Sequence, residues 1–186
     1  MTSPIIENVE IGEEQLPTFF STVILGGFVA GNLDALDGVV AFGLVNGQNP
    51  IKVLQYIASG AIGASSFDGG LATALLGMVL HFFIAFVVAA IYYFASLRIP
   101  VLYQQAITLG LLFGAAVFLV MNYVVLPFSN VPEGKFSWIL FINGIVGHAL
   151  FVGLPISLFA KYSAVITNFL GKYFKKGEIL ETSSSQ

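Results

Sequence analysis

Asp34 and Asp37 stand three residues apart in an otherwise apolar stretch, and the chain's two histidines, His81 and His148, stand in two further apolar stretches. On a helix, carboxylates at that spacing share one face. An imidazole is the side chain that ordinarily exchanges its proton near neutral pH, so the four groups could pass protons or balance a bound cation. Carboxylate oxygen and imidazole nitrogen are also transition-metal ligands, and Asp34, Asp37, His81 and His148 are the metal-ligand candidates. Only the metal reading needs all four. Asn122 and Asn143, amides in the same kind of apolar surroundings, are counted with the candidate proton or ion cluster, and taken by themselves they read as structural. A plainer reading gives Asn32, Asp34 and Asp37 the task of capping a break in the first apolar stretch, and gives the histidines the task of fixing helix register.

Known catalytic signatures are absent from the sequence. There is no HExxH or Glu-x-x-His pair, no nucleophile elbow, no phosphate loop and no dinucleotide fingerprint. With no cysteine, thiolate catalysis, disulfides and cysteine-ligated metal centres are ruled out. No cofactor is expected. The small net charge of −3, with no basic stripe, excludes nucleic acid as a partner.

The elements that must position these residues belong in a bilayer. The chain is 57% hydrophobic, 9% charged and has a mean hydropathy of +0.91, whereas a soluble domain carries charge on roughly a quarter of its residues. The pattern predicts an all-α polytopic membrane helix bundle. A membrane domain over residues 17–162 holds about four transmembrane helices at 18–45, 71–97, 105–128 and 136–160. Asn49-Pro50 starts a short helix at about 50–63, too short to span, which should lie at the interface or dip in as a re-entrant piece. An acidic tail over 1–16 precedes the bundle. A basic amphipathic segment over 163–176 follows it, with Lys172, Lys175 and Lys176 expected to bind anionic lipid, and a disordered tail covers 177–186.

Small residues recur at packing intervals: Gly27 and Gly31; Ala74, Gly77, Ala85 and Ala89; Gly110 and Gly114. They mark the faces on which helices approach one another, and Asp34 and His81 share two of those faces. Arg98, Lys161, Lys172, Lys175 and Lys176 fall on one side of the bundle and Lys52 and Lys135 on the other, which predicts both termini in the cytoplasm. At a helical rise of ~1.5 Å per residue, Asp34, Asp37, His81 and His148 lie roughly 12–18 Å from the opposite face, and Asn122 and Asn143 roughly 9–10 Å. All four spans thus contribute to one polar layer.

His81-Phe82-Phe83-Ile84-Ala85-Phe86 with Tyr92, the proline-ended Val125-Leu126-Pro127, and Gly147-His148 leading to Ser157 resemble the YagU-like bacterial inner-membrane proteins over about residues 71–161. The resemblance implies a small multi-pass protein of the bacterial inner membrane, with histidines at the positions of His81 and His148. It carries no catalytic residue, and Asp34 and Asp37 lie outside it. The expected function is a proton- or cation-linked pore, carrier or sensor. The alternatives are a structural or assembly subunit, as a homo-oligomer or with a membrane-protein partner, and an intramembrane metal-dependent enzyme.

Overall fold

A computed structural model describes residues 16–171. The described residues form helices and connecting turns with no strand, and four helices are long and apolar enough to cross a membrane. These are α1 (Phe20–Asn46), α3 (Gly70–Ser96), α5 (Ala106–Phe128) and α6 (Trp138–Lys161). Between them lie the short helix α2 (Pro50–Ile62) and one turn, α4 (Val101–Gln104). A last helix, α7, covers 163–171. Lys172, Lys175 and Lys176, the lipid-binding expectation, lie outside the described residues, as do residues 1–15 of the acidic tail and the tail over 177–186.

Each boundary has a local cause. Gly47, in the left-handed conformation at φ +62°, ends α1 and returns its N–H to the Gly43 carbonyl at 3.0 Å. Asn49 caps α2 by accepting the Lys52 N–H at 2.9 Å, with Pro50 at the first helical position, where its missing N–H costs nothing. Ser137 caps α6 through the Leu140 N–H.

The bundle is small inside and bulky outside. Leu75, Phe83, Phe94, Leu112 and Ile139 are all exposed, whereas Ala30, Ala74, Ala89, Ala106 and Ala160 are buried. That inversion suits a protein whose surroundings are lipid tails, because tight packing of small residues then replaces the hydrophobic effect as the helix-joining force. Cβ atoms at Gly27 and Gly31 would press on Phe86 and Phe82 of α3. One at Gly110 would strike Ser157, and one at Gly114 would strike the His148 carbonyl, both on α6. Gly77 packs differently. Its missing side chain admits the Leu54 carbonyl of α2, so that seam joins a span to the short helix and not to another span.

The two ends of the bundle differ. At the end holding Phe20, Ser96 and Lys161, a core of Val23, Val88, Ala89, Tyr92, Tyr103, Val152 and Ile156 fills the interior. Tyr92 is fully buried there and donates its hydroxyl to the Leu102 carbonyl at 2.7 Å. At the other end α2 packs across α3, and the turn after α5 bonds to it, with the Asn130 N–H on the Gly60 carbonyl and the Asn130 amide on that of Ala61. Between these ends the bundle is hollow.

Candidate functional site

The hollow is a cavity of about 540 Å³, and Asp34, Asp37, His81, Asn122, Asn143 and His148 all line it. Its walls come from all four spans and from α2, and it ends on Ala30, Val88 and Val152, where the filled core begins. All six polar residues are partly buried.

α1 carries both carboxylates on one unbroken α-helical stretch, Gly27–Asn46. The expected alternative, a break capped by Asn32 or the aspartates, is not what forms. The Asn32 amide returns to the Phe28 carbonyl of its own helix at 2.8 Å, and the irregular π-helical stretch of α1 lies earlier, at Phe20–Gly26. With no backbone to cap, the aspartates are left to their neighbours. Asp37 Oδ2 accepts the Asn143 amide of α6 at 2.9 Å. Gly147 makes room for it, since a Cβ there would collide with that same oxygen. Asp34 Oδ1 faces His148 Nδ1 at 3.5 Å. That separation is an ion-pair contact and too long for a good hydrogen bond, and Nδ1 is otherwise buried without a partner. A carboxylate can only accept, so the contact attracts only when Nδ1 carries a hydrogen.

His81 is held in another way. Its Nε2 lies 2.8 Å from the Gly31 carbonyl of α1, and because a carbonyl cannot donate, Nε2 must carry the proton. The ring therefore ties α3 to α1 beside the cavity. Asn122 donates to the Phe118 carbonyl of its own helix at 2.9 Å, and joins no other member of the group. Six expected residues thus share one cavity, but as two cross-helix pairs, one histidine-to-backbone tie and one self-bonded amide.

Among the described residues no three His, Asp or Glu side chains converge closely enough to hold a metal ion. The four-ligand arrangement of Asp34, Asp37, His81 and His148 does not form, because His81 spends Nε2 on a backbone oxygen and each aspartate turns to a different partner.

Two of the three π-helical stretches among the described residues lie beside the cavity. α6 is π-helical over His148–Gly153 and α5 over Met121–Val125. Pro155 and Pro127 follow them, and each lacks the N–H that would bond the carbonyl four residues back, so the preceding turn widens. Wide turns of this kind are frequent at functional sites.

Sequence reading missed the contribution of α2. Val53, Leu54, Tyr56, Ile57, Gly60 and Ala61 line the cavity. The sequence predicts a short helix there, but not that one face of it would close a cavity among the spans. Burial pushes the pKa of the Tyr56 phenol up, so it stays a neutral polar group. Gln55, on the same helix, is buried and donates to the Gly70 carbonyl at 3.0 Å and to Thr73 Oγ1 at 3.2 Å, holding α2 on α3.

Polytopic membrane helix bundle is the class this fold defines. Comparison with family models, curated proteins and solved structures gives no match for the chain.

Proposed function

We propose that this membrane bundle is a proton-linked carrier or sensor, in which Asp34 and His148 exchange the proton and the cavity holds what is sensed or moved. The observation that carries the reading is the single cavity flanked by Asp34, Asp37, His81 and His148 in a chain that is only 9% charged. Ionisable groups inside a bundle are costly, and facing a shared hollow is their usual arrangement where they serve a proton or ion pathway. A carrier or sensor fits better than an open pore, because the cavity ends on packed Ala30, Val88 and Val152. The resemblance to YagU-like proteins supports the bacterial inner membrane. The five-to-two division of basic residues supports cytoplasmic termini, with the cavity in the outer half.

Reconstitution into liposomes with an internal pH indicator tests it. Wild-type chain should carry or bind protons, and Asp34→Asn, which keeps the side chain's shape and removes its charge, should cut that signal at least tenfold without loss of folded protein. A structural or assembly subunit is the second reading, favoured by the span-to-span bonds Asn143 to Asp37 and His81 to the Gly31 carbonyl. It expects no proton signal in wild type and a loss of stability in His81→Ala.

A further inference from the structure

We infer that the cavity takes a lipophilic organic cation, its amine or onium centre against Asp34 and Asp37 and its apolar body against Phe42, Tyr56 and Phe118. The inference deepens the proposed function and rests on it for the location of the site. Three observations carry it.

The first is size. About 540 Å³ lies within the roughly 300–1,000 Å³ typical of small-molecule sites, and is far more room than a bare inorganic ion needs. No three His, Asp or Glu side chains among the described residues converge on such an ion. The second is the wall. Most of the lining is aliphatic or aromatic, and Phe42, Tyr56 and Phe118 bring to it rings of the kind whose faces attract a cation.

The third is charge. The lining holds two carboxylates and no Lys or Arg. Lys52, the basic residue of α2, is turned elsewhere, donating to the Phe67 carbonyl at 3.0 Å and lying over the Phe67 ring. The other ionisable groups of the lining are His81 and His148, and with both imidazoles neutral an anion would be repelled. A neutral apolar ligand would strip water from the carboxylates and offer nothing in return. A cation with an apolar body satisfies both parts of the lining.

The test uses the full chain in lipid nanodiscs, with empty nanodiscs as the partition control, and two probes of matched shape and opposite charge, tetraphenylphosphonium and tetraphenylborate. Saturable binding of one phosphonium per chain is expected, with no saturable borate binding. The double variant Asp34→Asn, Asp37→Asn should weaken phosphonium binding at least tenfold. Gly38 lines the cavity, and a Cβ added there meets nothing within 4 Å, so Gly38→Leu should narrow the space and weaken binding while the thermal unfolding midpoint holds. Equal binding of both probes by the wild type would overturn the inference, as would phosphonium binding indifferent to either variant. A proton signal that depends on Asp34 without phosphonium binding overturns the ligand class alone. Phosphonium binding that meets these criteria without proton movement supports the ligand class and overturns the proton linkage alone.

Discussion

Two aspartates a single turn apart have acquired different chemistry because their partners differ. Asp37 receives a neutral amide at 2.9 Å and has its place cleared by Gly147. Asp34 meets an imidazole at 3.5 Å, a contact whose strength changes with one proton. Asn143→Ala should therefore cost ~1–3 kcal/mol of stability, the penalty for leaving a partly buried acceptor without its donor. Asp37→Asn should cost less, since an amide oxygen still accepts from Asn143. Thermal unfolding in detergent compares the two, and the reverse order would mean that the bond contributes little. Gly147→Ala should behave like Asn143→Ala, because its methyl group displaces the same carboxylate oxygen.

At the scale of helices, the close seams and the widened turns do separate work. Gly77 lets α2 lie directly on α3 with the Leu54 carbonyl against its backbone, so Gly77→Leu must lift α2 off. Overpacking of this kind typically costs ~1–3 kcal/mol, and Ala72→Leu, at an exposed position on the same helix, serves as the control that should leave the unfolding midpoint unchanged. Pro155 acts through geometry. Pro155→Ala restores an N–H and lets α6 regain the α-helical register, which rotates His148 relative to Asp34. The expected result is a reduced proton signal with an unfolding midpoint that holds or rises. A variant with wild-type proton exchange would show that the wide turn does not set the pair.

For the molecule in its membrane, the absence of cysteine makes single-cysteine labelling free of background. If both termini are cytoplasmic, as proposed, Gly134→Cys should react with an impermeant maleimide in intact cells, and Arg98→Cys should react only after the membrane is opened. The opposite pattern would move the cavity to the cytoplasmic half. Lys172, Lys175 and Lys176 supply most of the charge bias. Replacing all three by Gln leaves two basic residues on each side, so the Gly134→Cys label should fall toward half as the chain inserts in both directions.

Spans, their order and their inward faces were legible in the sequence, because bilayer thickness sets helix length and backbone hydrogen bonds admit little else within the hydrocarbon. The helices Phe20–Asn46, Gly70–Ser96, Ala106–Phe128, Trp138–Lys161 and Pro50–Ile62 fall within a few residues of the stretches expected. The same periodicity put Asp34 and His81 on the faces that carry small residues, since faces are local properties of one helix. Partners are not local. That Asn143 serves Asp37 while His148 serves Asp34 depends on how α6 rotates past the Gly110–Gly114 seam and on the turn widened ahead of Pro155. That His81 is taken up by a backbone oxygen depends on α1 staying helical through Asn32–Asp37, where side-chain capping was an equally good local solution. The hollow itself belongs to no helix. It exists because small residues draw the bundle shut at one end while α2 spreads across the other, a balance of packing among five helices that no single stretch of sequence encodes.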